Sequence, residues 1–164
     1  MKTTRNTIGT FAMIALATIC GLAQTPQTTI STDYDAALAR KLGADDMGMR
    51  QYVMCFLKTG PLKVNDPAKR TELMKGHFGM INRLAGEGKL ILAGPFMEGG
   101  EFRGIYLFDV KTVDEAKKLT ETDPSIKEGY FRVEFIKWYG SAALIEVNNT
   151  HKKIEKPKLP NAPR

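Results

Sequence analysis

The chain has 164 residues, 43% of them apolar and 26% charged. That is the make-up of one ordinary globular domain and excludes a collagen-like, low-complexity or wholly disordered chain. The net charge of +6 invites a nucleic-acid reading, but the location of the charge argues against it. Lys2 and Arg5 lie in a leader, and Lys152, Lys153, Lys156, Lys158 and Arg164 lie in a tail with one acid, Glu155. Without these, the 24 basic and 18 acidic residues fall to 17 of each. The body is neutral, and no nucleic-acid partner is expected.

Met1 to Ala23 reads as a secretory signal peptide. Lys2 and Arg5 form its positive start, and the uncharged stretch from Ile8 to Leu22 is too short for a comfortable membrane span. Gly21 and Ala23 place cleavage after Ala23, which makes the mature protein periplasmic or secreted. A lipoprotein anchored at Cys20 is the lesser alternative, because Ile19 is bulky where a small residue is wanted. Residues 24–33 form a polar linker, 34–149 the folded domain with its core at 50–140, and 150–164 a loose, basic, Pro-rich tail. Cleavage leaves Cys55 alone, so no intramolecular disulfide can form. Asn148-Asn149-Thr150 matches a glycosylation sequon, a three-residue pattern too short to carry weight.

In chain order, Tyr34 to Leu42 has Tyr34, Leu38 and Leu42 at helical spacing and ends at Gly43. Arg50 to Lys58 is a strand, apolar on both faces. Asp66-Pro67 starts a helix, with Asp66 as N-cap and Pro67 in the first turn. This helix runs to about Glu87 with the stripe Leu73, His77, Ile81 and Leu84. Lys89 to Ala93 is a strand stopped by Gly94-Pro95, and Phe102 to Val110 is a third. Thr112 and Glu115 form a capping box. Its helix ends near Thr122, since Asp123 precedes proline. Tyr130 to Tyr139 is the last strand.

The order predicts an α+β, ferredoxin-like βαββαβ domain with one extra N-terminal helix. Helices cover one sheet face in that fold. The other face carries Tyr52, Met54 and Phe56 where polar residues would meet water. A second copy closing this face makes a homodimer, a dimeric α+β barrel. The short extra helix is the competing cover.

The stretch from Arg50 to Gly140 resembles the YCII-related (YciI-like) family. The resemblance rests on helical His77, on Gly88-Lys89-Leu90-Ile91-Leu92-Ala93-Gly94-Pro95, on the Asp123-Pro124 pair and on Trp138 closing the last strand. Ser125 stands where the family usually has an aromatic residue. The resemblance implies a ferredoxin-like dimer with a His and Asp pair in a pocket and small-molecule chemistry. Some members are linked to dehydrohalogenation of ring compounds.

His77 and Asp123 are the candidate catalytic residues. A histidine beside Gly76 and Gly79 faces a gap in its helix, where a backbone or a ligand can approach, and imidazole exchanges protons near neutral pH. The plainer alternative is a core histidine. Asp123 reads as a carboxylate at the unfavourable end of a helix, either a turn former or the partner that orients His77. Arg103 is the candidate anion anchor, with a solvent-facing arginine as the plainer alternative, and Tyr52 and Trp138 are candidate walls of an aromatic pocket, with core packing as theirs. Cys55 reads as a buried hydrophobe before it reads as a nucleophile. No metal site is expected, since His77 and His151 are the only histidines and no pair has ligand spacing. No cofactor is expected, since Gly94-Pro95 and Gly99-Gly100 lack the flanking pattern of a phosphate-cradling loop. The functional expectation is an acid–base enzyme, lyase-like or isomerase-like, acting on a small cyclic or aromatic compound. The alternative is a non-catalytic small-molecule-binding or dimerisation module.

Overall fold

A computed structural model describes residues 33–156. The signal peptide, Cys20 and most of the linker lie outside the described residues. The unit that carries the fold begins at Asp35. Its first helix, α1 (Ala36–Leu42), is capped by the Asp35 carboxylate and closed by Gly43 at φ 65°, a conformation that suits glycine.

Strand β1 (Met49–Thr59) leads into α2 (Pro67–Gly86), β2 (Leu90–Pro95), β3 (Phe102–Phe108), α3 (Val113–Thr120), a single turn α4 (Pro124–Lys127) and β4 (Phe131–Ser141). The strands pair antiparallel in the order β2-β3-β1-β4. This is the βαββαβ order read from the sequence. Asp66 caps α2 with Pro67 in its first turn, and Thr112 and Glu115 complete both halves of the capping box on α3.

Two elements depart from expectation. β2 continues through Gly94-Pro95, which pair with Ile105 and Gly104. β2 is an edge strand, so a proline that cannot donate on its free side is tolerated there. The second departure lies after β4. A 3-10 turn (Ala142–Glu146) and helix α5 (Val147–Ile154) stand where the sequence reads as domain end and loose tail. The expected boundary at 149/150 therefore falls inside a helix.

Alternation along β1 divides the interior. Val53, Cys55 and Leu57 pack with Met80 and Leu84 of α2 and Ala116 of α3. Tyr52 faces the other way and clusters with Ile91 and Leu107, against which Leu144, Ile145 and Val147 pack. The C-terminal segment, not α1, supplies this partial cover. Asn148 Nδ2 fixes α5 by donating to the Leu90 carbonyl at 2.7 Å. Beyond it, Ile136 and Trp138 remain 47% and 37% exposed on the same face. Among the described residues no helix is long and apolar enough to cross a membrane.

Candidate active site

His77 projects from the buried stripe of α2, which comprises Leu73, His77, Met80 and Leu84. Ile81, expected in that stripe, is half-buried and lines a cavity instead. Gly76 explains how the helix comes so close to its neighbour. A Cβ at this position would lie 2.3 Å from Cγ of Pro124, so only a bare backbone lets α2 rest on α4. Gly79 has no such duty, for nothing lies within 4 Å of its Cβ position.

That contact brings Asp123 against His77. His77 Nδ1 lies 2.7 Å from Asp123 Oδ2, and Asp123 is fully buried. The carboxylate is not stranded at the end of α3. It is the N-cap of α4, where Oδ1 accepts from the Ser125 backbone N–H at 2.9 Å and from the Ser125 hydroxyl at 2.6 Å. The expected unfavourable helix-end field is thus replaced by a favourable cap. Burial pushes the Asp123 carboxyl up, but the hydrogen bonds from His77 and Ser125 outweigh it and hold the group below its ordinary 3.8. Asp123 is an anion that fixes the ring, and Nδ1–H is the donor to it.

Two site residues were missed in the sequence. Ser125 is fully buried, and its Oγ also lies 3.1 Å from His77 Nδ1. Tyr106 sits on the helix-facing side of β3, with its hydroxyl 3.2 Å from both ring nitrogens of His77. A point equidistant from both nitrogens lies off the lone-pair direction of each, so this is a weak, displaceable partner. Burial and the Asp123 charge push the Tyr106 hydroxyl far above its ordinary range, so it stays protonated. Burial and the same charge push the Cys55 thiol up to about 12, which removes it as a nucleophile at neutral pH.

His77 and Tyr106 line an open cavity of about 310 Å³ between α2, the β2–β3 edge and the start of β4. Its other walls are mostly apolar, with Met74, Phe78, Ile81 and Phe131 among them. Arg103 reaches it through a β-bulge. The β1–β3 register passes from Leu57↔Gly104 to Lys58↔Phe102, leaving Arg103 as the extra residue. Bulges commonly re-aim a side chain beside a site. The exposed Arg103 is the cavity's one cationic lining residue.

Tyr52 and Trp138 are not in the cavity. They pair across β1 and β4 on the opposite face of the sheet, ring centroids 5.8 Å apart. Strand parity, with Tyr52 opposed to the helix-facing Val53, Cys55 and Leu57, separates them from His77. Among the described residues no group of three or more His, Cys, Asp or Glu is placed to hold a metal ion.

The model of the YCII-related domain matches residues 51–139, more than half of the chain. The chain belongs to the YCII-related family. The matched segment contains His77, Arg103, Tyr106, Asp123 and Ser125, whereas α1 and α5 lie outside it. No curated protein matches this YCII-related chain. Among solved structures, it is similar to 5-chloro-2-hydroxyhydroquinone dehydrochlorinase (TftG) from Burkholderia phenoliruptrix AC1100, solved in complex with 2,5-dihydroxybenzoquinone. That likeness has 19% identity and a TM-score of 0.42, over 53% of this chain and 92% of the other.

Proposed function

We propose that this YCII-related protein is an enzyme that moves a proton on a small cyclic or aromatic compound, with His77 as the acid/base and Asp123 as its orienting partner. The observation that carries the reading is the 2.7 Å contact between His77 Nδ1 and a fully buried carboxylate, beside an apolar cavity. With Nδ1–H given to Asp123, Nε2 is the nitrogen left to exchange a proton with a bound molecule. Its rival partner, the Tyr106 hydroxyl, is poorly directed and yields its place to substrate. Asp123 stabilises the imidazolium formed when Nε2 takes the proton. Tyr106, held neutral, donates to oxygen charge developing on the ring. Proton removal beside a leaving group gives elimination, and return of the proton elsewhere gives isomerisation.

Activity against a panel of halogenated and hydroxylated ring compounds tests this reading. His77→Gln should cut turnover by about 10²–10⁴-fold while the protein still folds. Full turnover in the variant would assign the His77 network to structure. That outcome is the binding-module alternative, which is favoured by the fact that no buried side-chain polar atom among the described residues lacks a partner.

The assembly we propose is a homodimer through the sheet face that carries Trp138 and Ile136. Both residues stay exposed beside Tyr52 after the C-terminal segment has packed, an apolar surface of the kind that partners cover. Light scattering should give twice the chain mass, and Ile136→Lys should return it to a single chain. A wild-type monomer would overturn the assembly. Export rests on the leader alone: N-terminal sequencing of exported material should begin near Gln24, and an uncleaved or lipidated N-terminus overturns it.

A further inference from the structure

A second cleft, of about 260 Å³, opens beside the His77 cavity. The two share Arg103, Tyr130 and Phe131 as a common wall. Their chemistry differs. The His77 side is mostly apolar, whereas the cleft adds Lys63 and Arg70 to Arg103 and has no acidic side chain in its lining. Arg70 is partly committed, since its guanidinium donates to the Val64 carbonyl at 2.9 Å. Lys63 and Arg103 are exposed, and neither has an ion-pair partner among the described residues. In a body with balanced charge, two uncompensated cations around one small cleft mark a place for an anion.

We propose that the cavity and the cleft form one two-part site for a substrate with a cyclic head and a carboxylate tail. The head lies against His77 and Tyr106, and the tail passes Tyr130 to reach Arg103 and Lys63. The bulge that makes Arg103 the extra residue of β3 is what hands its guanidinium to both compartments. Arginine's planar fork matches a carboxylate in two parallel hydrogen bonds, and lysine adds a point charge. This rests on the acid–base reading only in seating the reacting ring beside His77, and its test reads binding rather than turnover.

The probes are 4-phenylbutyrate and its neutral counterpart 4-phenylbutan-1-ol, titrated into the full-length protein by calorimetry and by NMR of the histidine and tyrosine rings. The acid should bind about ten-fold or more tightly than the alcohol, with the preference falling as salt is raised. It should shift signals of both His77 and Tyr130. The double variant Lys63→Ala/Arg103→Ala alters two exposed side chains and should fold. In it the acid should fall to the alcohol's affinity while the alcohol is unchanged. Equal binding of the two probes, binding of neither, or a preference that survives the double variant overturns the proposal. An intact preference in a protein whose His77→Gln variant still turns over substrate would overturn the acid–base reading alone.

Discussion

The two faces of the sheet meet the same problem with different means. On one face, α2, α3 and α4 cover Val53, Cys55 and Leu57, and four of the polar side chains left inside, His77, Asp123, Ser125 and Tyr106, are joined to one another. On the other, a short C-terminal segment covers Tyr52, Ile91 and Leu107, while Trp138 and Ile136 are left at the surface. The first face is closed by its own chain and keeps a cavity with the His77 imidazole beside it. The second is closed only in part, and its ion pair of Lys58 with Glu134 is partly exposed. Apolar alternation in a strand therefore announces that something will cover it, without saying whether the cover makes a site.

The largest effect that separates the faces is expected at Asp123. Asp123→Ala leaves His77 and Ser125 without their buried acceptor and should cost about 3–5 kcal/mol in denaturant unfolding. A loss below about 1 kcal/mol would show that the pair contributes little to the fold. The pH dependence has a definite sign. Because the folded carboxyl lies below its ordinary 3.8, its stabilisation is present above that pH and is lost as pH falls through the folded value. Unfolding of wild type and Asp123→Asn at a series of pH values should show the gap between them shrinking below about pH 4.

The next comparison is within α2. Gly76→Ala drives a Cβ into the Pro124 ring and should destabilise by about 1–3 kcal/mol. Gly79→Ala meets open space and should stabilise by up to about 1 kcal/mol through helix propensity. Thermal melts of the pair should move in opposite directions, and a shared direction would refute the close α2–α4 contact. The smallest effect belongs to the far face. Asn148→Ala removes one hydrogen bond to Leu90 and should cost about 0.5–1.5 kcal/mol. Hydrogen exchange should quicken in α5 and leave α2 unchanged.

Local chemistry made the fold legible. Asp66-Pro67 and the Thr112–Glu115 box start their helices where they are read, and Gly43 ends α1. The His77–Asp123 meeting was legible from the helix stripe and the Asp-Pro turn. Tyr106 was not, although its strand parity with Phe108 places it on the His77 side. An aromatic residue in a strand gives no sign that its hydroxyl will find an imidazole. For Tyr52 and Trp138 the packing alternative is the one that fits, since strand parity turns the pair away from His77. The field at Asp123 was misread because a four-residue helix, α4, is too short to leave a periodic signal. Helix α5 escaped because its lysines give it the composition of a tail, and what holds it is a contact with a strand more than fifty residues earlier.

That contact has a consequence for how the surface of the protein can be modified. Asn148 heads the sequence Asn148-Asn149-Thr150, and the side-chain nitrogen that an oligosaccharide would occupy is the atom that donates to Leu90. Sugar attachment would load the amide that folding uses; one N–H would remain, but the sugar would crowd the contact. Once α5 has docked, Asn148 is half-buried and its amide is engaged with Leu90. A glycan attached while the chain is still extended would place its bulk at the contact that seats α5 on Leu90. In a glycosylating host, Thr150→Ala should therefore raise the yield of correctly folded protein.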